Sequence, residues 1–170
     1  MKIERGFTLL ELMITLAAAG VLLTVAIPSF KTTITNNRMV AQTNELLGTL
    51  MFARSEAITE NKAITVCASS DGTSCSNDWS QGWIVYATAG TPLRVHGKLD
   101  GDNNLSSGGT LSTSFTFKSN GTTSGNGDFT LCDSRGSTYA HDVNVSSTGI
   151  VRASQIAGKE LDGTTALSCP

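Results

Sequence analysis

Glu11 is the only ionisable side chain in an apolar run that covers residues 7–30. A carboxylate near the start of such a run costs on the order of 3 kcal/mol on membrane-insertion scales. A charge that costly calls for a partner. The nearest candidate cation is an α-amine on Phe7, created by cutting the chain after Gly6. That amine would lie one helical turn from Glu11, on the same face. Lys2 and Arg5 precede the run and predict a cytoplasmic N-terminus by the positive-inside rule. A helix over the run, rising about 1.5 Å per residue, covers the hydrocarbon core of a bilayer. An ordinary secretory signal peptide fits poorly. The run is too long, and its A-x-A match, Ala17-Ala18-Ala19, lies in its middle.

The remaining reactive side chains are sparse. Four cysteines, Cys67, Cys75, Cys132 and Cys169, all follow the apolar run. Outside the cytoplasm they are expected to pair, and three connectivities are open. The local pair Cys67–Cys75 with the long-range pair Cys132–Cys169 is the expected one. A four-cysteine zinc site is the competitor, and neither half has its CxxC spacing. His96 and His141 lie far apart with no third ligand nearby, which favours surface or loop roles over metal binding or general-base chemistry. Asp100-Gly101-Asp102-Asn103-Asn104 is faintly like a calcium loop but lacks the terminal Glu. Asp71 and Asp133 sit in similar turns. No GxSxG, HExxH or phosphate loop occurs, so the chain reads as a non-enzyme with no metal and no cofactor. A net charge of -2 and a pI near 5.6 exclude an overall basic field for nucleic acid or acidic lipid.

The elements that position these residues follow from periodicity. The 170 residues suit a domain of ordinary size. Between residues 31 and 62 the uniform apolarity gives way to an amphipathic pattern. Met39, Thr43, Leu46, Leu50, Ala53 and Ala57 follow steps of three and four. Val40, Leu47, Met51 and Ile58 are read as widening that stripe, so that one face buries against a sheet. No proline interrupts the helix after Pro28, which removes one hydrogen bond and favours a kink or a break. After Lys62 the period turns towards two. Strands are expected at residues 63–68, 82–86, 93–96, 115–117, 129–132, 142–145 and 149–152, with a polar loop at 101–109. Trp79 and Trp83 bracket a strand start and are read as core. The order is one long helix, then short antiparallel strands, an α+β arrangement. The expected divisions are 1–6, a leader; 7–30, a transmembrane half-helix; 31–62, its amphipathic continuation; and 63–170, a β-rich head.

Arg5-Gly6-Phe7-Thr8-Leu9-Leu10-Glu11 resembles the prepilin peptidase site of type IV pilins and type II secretion pseudopilins. The resemblance implies a type IV pilin-like fold, cleavage between Gly6 and Phe7, and methylation of the new Phe7 amine. It also implies that Glu11 neutralises the Phe7 amine of a neighbouring subunit during assembly, and that Pro28 marks local bending or melting in the filament. Residues 66–75 with Trp79 and Gly82-Trp83-Ile84-Val85, and Arg54-Ser55-Glu56-Ala57, resemble the GspH/FimT family of minor pilins and pseudopilins. Membership implies a minor type IV pilin that helps initiate assembly and sits at or near the filament tip, or a type II secretion pseudopilin. Its expected partners are other pilins, the prepilin peptidase/methyltransferase and an inner-membrane assembly platform. Its expected place is the bacterial inner membrane, with a periplasmic head. Some family members bind DNA through a Gly-Arg-x-Arg-like motif. The matching place here, Gly149-Ile150-Val151-Arg152, has Ile150 for the first arginine. Arg152, with Lys159 and Arg135, is the candidate DNA contact, although a phosphate-tracking site needs several cations.

Overall fold

A computed structural model describes residues 6–87 and 91–170. Helix α1 (Leu9–Thr59) comes first. Eight strands follow: β1 (Ile64–Ala68), β2 (Trp83–Ala87), β3 (Arg94–His96), β4 (Asn104–Ser107), β5 (Ser114–Phe117), β6 (Gly127–Cys132), β7 (His141–Val145) and β8 (Val151–Ala153). The described residues form two compact units, divided between Asn37 and Arg38.

In the first unit Pro28 lies within the helix and does not end it. The Thr15, Thr24, Thr32, Thr33 and Thr35 hydroxyls each donate to a carbonyl three or four residues back. Such back-bonding satisfies each hydroxyl within its own helix. Every side chain described from Gly6 to Thr24 is exposed. The helix contains a stretch long and apolar enough to cross a membrane, and none of that stretch is buried within the protein.

In the second unit the helix ends on Asn61, which takes a left-handed conformation at φ 51°. The Lys62 amide then donates to the Ala57 carbonyl at 3.1 Å and the Asn61 amide to that of Ile58 at 3.4 Å. This is a Schellman stop, and asparagine tolerates the left-handed position it needs. Met39, Leu46, Leu50, Ala53 and Ala57 are fully buried on one helix face. They pack into a core with Val66, Trp83, Val85, Phe117, Phe129 and Val143.

The wider stripe expected from the sequence is not buried. Val40, Met51 and Ile58 are 46 %, 56 % and 50 % exposed, and Leu47 is half-buried. At 3.6 residues per turn these four positions align within about 40° of one another. They sit about 100° around the axis from the Met39–Ala57 face. The helix therefore carries two apolar stripes, and only one is fully buried.

The head holds two antiparallel four-stranded sheets. Their orders are β3-β2-β1-β5 and β4-β6-β7-β8. Within the first, Val66 lies opposite Val85 on one side and Phe115 on the other. Within the second, Phe129 lies opposite Val143. Trp79 links the two sets of aromatics. Its ring sits edge-on to Phe129 at 4.8 Å and tilted to Phe115 at 6.4 Å, while its Nε1 donates to the Ser112 carbonyl at 2.9 Å. Trp83 is fully buried, and His96 stacks on it at 3.9 Å. Strand β4 occupies part of the stretch expected to be a polar loop. Cys67 is bonded to Cys75, and Cys132 to Cys169.

Candidate functional site

The first turn of α1 holds the residues with the strongest chemical signal. Thr8 is the residue before the helix and Glu11 the third within it. The Thr8 amide and hydroxyl both donate to Glu11 Oε2 at 3.0 Å, and the Glu11 amide donates to Thr8 Oγ1 at 3.2 Å. This is a capping box: two amides that the helix start leaves without partners are satisfied reciprocally. The Glu11 carboxylate is thus hydrogen-bonded within its own chain. The charge of Glu11 alone does not point to Thr8. The signal was present, as Thr-x-x-Glu directly before an apolar run. Gly6 and Phe7 precede the helix in exposed, irregular backbone, and Phe7 is 85 % exposed. Exposed, irregular backbone is the kind of segment a peptidase can reach.

On the head, Arg54 ties the helix to two turns. Its Nε donates to the Gly121 carbonyl at 3.1 Å and its Nη2 to that of Thr148 at 3.4 Å. Gly149 adjoins this clamp with φ +79°, and a β-carbon there would collide with the Gly121 carbonyl. The glycine of Gly149-Ile150-Val151-Arg152 is therefore fixed by packing. Ile150 and Val151 line an open groove of about 360 Å³ with Met51, Arg54, Ser55 and Ile58.

The three candidate DNA cations differ in circumstance. Arg135 is paired with the buried Asp133 carboxylate at 2.6 Å and stacks over Tyr139 at 4.2 Å. Lys159 Nζ donates to the Thr164 carbonyl at 2.9 Å. Arg152 is exposed on β8 opposite Asn144, and it lines a groove of about 450 Å³ that also holds Leu161 and Asp162. Neither Arg135 nor Lys159 is among the residues lining that groove.

The histidines lie on different sheets. His96 faces the Glu45 carboxylate at 2.8 Å through Nε2 and the Gly97 carbonyl at 2.7 Å through Nδ1. Burial lowers the His141 pKa, against the pull of Asp133. The loop at residues 100–104 is held to α1. Gln42 Nε2 donates to the Asp100 carbonyl at 3.1 Å, and Asn103 Nδ2 to Gln42 Oε1 at 2.5 Å. Among the described residues no three His, Cys, Asp or Glu side chains are grouped to hold a metal ion.

The prokaryotic N-terminal methylation motif matches residues 1–27. The type II transport protein GspH family matches residues 42–149, more than half of the chain. The chain belongs to the GspH family. Two fimbrial proteins of Pseudomonas aeruginosa are each 29 % identical to it over 101 residues. That match covers 59 % of this chain and 65 % of theirs, so the chain spans just under two thirds of these relatives. The crystal structure of the type IV minor pilin FimU from Pseudomonas aeruginosa is similar at a TM-score of 0.57 and 26 % identity, over 68 % of this chain and 87 % of FimU. The minor pseudopilin EpsH from the type 2 secretion system of Vibrio cholerae shares the fold, at a TM-score of 0.51 and 12 % identity, over 72 % of this chain and 99 % of EpsH. This member of the GspH family thus has the type IV pilin-like fold, one long N-terminal helix followed by antiparallel sheets. The family is one of minor pilins and pseudopilins, which are structural subunits.

Proposed function

We propose that this chain is a minor type IV pilin that helps to initiate pilus assembly and sits at or near the filament tip. The observation that carries this reading is the likeness of the chain to the minor pilin FimU over 68 % of its length, together with the N-terminal methylation motif. On this reading residues 1–6 are a leader. A prepilin peptidase cuts between Gly6 and Phe7 and the Phe7 amine is methylated. Residues 7–30 anchor the subunit in the inner membrane, and residues 63–170 form a periplasmic head. Other pilins and an inner-membrane assembly platform are the partners.

Glu11 then has two successive partners. In the lone subunit its carboxylate is held by the Thr8 amide and hydroxyl. In the filament it turns to the Phe7 amine of a neighbour. The exchange replaces two hydrogen bonds from neutral donors with one of about twice the strength from a cation, so the bonds balance and neutralising the buried charge favours the neighbour. Pro28, which lacks an amide proton, is the point where the helix ladder is weakest and where local melting would begin. Deleting the gene is expected to lower surface piliation and twitching. Normal piliation in a clean deletion strain would sink this reading.

A second reading is a type II secretion pseudopilin, favoured by the match to the GspH family and by the fold shared with EpsH. It predicts exoproteins retained in the periplasm of the deletion strain, with piliation intact. A DNA-binding role has less support. Two of its three cations are engaged within the chain, and phosphate affinity scales with the number of free ones. A gel-shift titration of the wild type and Arg152→Ala at several salt concentrations tests that role.

A further inference from the structure

Asp142 is the one charged residue buried as a whole among the described residues, at 0 % exposure. Its neighbours on β7, Val143 and Val145, turn into the core between the sheets. By strand alternation Asp142 faces the opposite side of its sheet. That side is covered by residues 154–169, which follow β8. The Ser154 amide donates to the Asp142 carbonyl at 2.8 Å and the Gly158 amide to that of Ala140 at 2.8 Å. Leu167 packs with Ala140 and the Cys132–Cys169 bond in a small separate cluster. Neither Asp142 carboxylate oxygen has a partner in good hydrogen-bond geometry, although the Leu161 and Val143 amides lie near enough to act on it.

The charges around this carboxylate do not compensate it. Asp128 from β6 and Glu160 from the covering segment both act on it, and both are negative. Thr130, opposite it on β6, is neutral. The cations nearby are otherwise engaged or placed. Lys159 donates to Thr164, and Arg135 is paired with Asp133. Arg152 on β8 lies opposite Asn144 rather than Asp142. His141, adjacent on β7, takes its electrostatic interactions from Asp133 and Arg135.

We propose that residues 154–169 are a pH-gated strap, closed over Asp142 while that side chain is a neutral acid. Ionisation of Asp142 releases the strap, which stays tethered through Cys132–Cys169. A buried anion with no well-formed hydrogen bond and two like charges beside it is unstable, whereas the neutral acid is tolerated. Burial, then Asp128 and Glu160, raise the Asp142 pKa to about 7, while the Leu161 and Val143 amides pull weakly the other way. With the strap open the carboxyl is hydrated and titrates near its ordinary value of 3.8. The closed state is the one with the raised pKa. Its advantage is complete below the ordinary value, falls through the interval between, and is gone above about 7.

Hydrogen exchange on the full-length, oxidised chain in detergent micelles tests this. Peptides from residues 154–169 are compared with peptides from β1, with labelling corrected for intrinsic exchange. In the wild type, strap protection is expected to fall roughly tenfold per pH unit between about pH 4.5 and about pH 7, then level off. Asp142→Asn is expected to keep the strap protected and flat across that range. Glu160→Gln is expected to move the levelling point to lower pH, because one like charge is gone. Wild-type strap protection that tracks β1 at every pH overturns the proposal, as does a slope that persists in Asp142→Asn. Should Asp142→Asn fail to fold, a Glu160→Gln profile superimposable on the wild type overturns it.

Discussion

Replacing Arg54 by alanine removes the clamp between α1 and the two turns that meet at Gly121 and Gly149. Two hydrogen bonds from a guanidinium are lost, at 3.1 Å to Gly121 and at 3.4 Å to Thr148. Bonds from charged donors contribute about 1.5–3 kcal/mol when well formed. The longer bond reaches an exposed turn and adds little. The shorter one serves a buried glycine, whose carbonyl would lose its partner. The expected cost is therefore about 2–3 kcal/mol in the unfolding free energy of the head. Arg54→Lys keeps the charge and loses the fork, and is expected to cost about half as much. Trp79 and Trp83 are the only tryptophans and both are buried in the head. Their fluorescence during urea unfolding of the micelle-bound chain thus reports the head alone. An Arg54→Ala protein within about 0.5 kcal/mol of the wild type would refute the clamp.

Three further outcomes follow from the same packing. Leu50→Ala is expected to cost about 2–5 kcal/mol and Met51→Ala under about 0.5 kcal/mol, both read by urea unfolding, because the first is buried and the second 56 % exposed. Replacing Cys132 and Cys169 together by serine opens a loop of 37 residues and is expected to cost about 4 kcal/mol in the chain-entropy account, measured in the same way. Thr8→Val keeps the shape and removes the hydroxyl, weakening the first helical turn by about 1 kcal/mol; faster amide exchange at residues 9–12, with residues 14–20 unchanged, is the check.

The legible parts of this protein are those whose signal is local. Glu11 stood out because its charge interrupts an apolar run, and Thr8 was within reach as the other half of a four-residue motif. The strands of the first sheet announce themselves through runs such as Trp83-Ile84-Val85. Strand β4 does not, since Asn104-Leu105-Ser106-Ser107 offers a single apolar side chain. What makes it a strand is its pairing to β6, with Leu105 opposite Leu131. The periodicity of α1 located its apolar residues but not which of two stripes the sheets would cover. Val40, Met51 and Ile58 fit the helical period as well as Leu46 and Leu50 do. The Arg54 clamp was illegible for another reason: its acceptors lie 67 and 94 residues further on. Likewise nothing local marks Asp142 as buried, because the segment over it is pinned by a bond back to Cys132.

The central claim is that this chain is made as a prepilin and matures at Phe7. Mass spectrometry of the N-terminal peptide, from protein isolated out of its native membrane or from sheared filaments, tests it most directly. The account predicts a first residue of Phe7 carrying one methyl group on its amine. A chain that still begins at Met1, or one cut after Ala19, would contradict it.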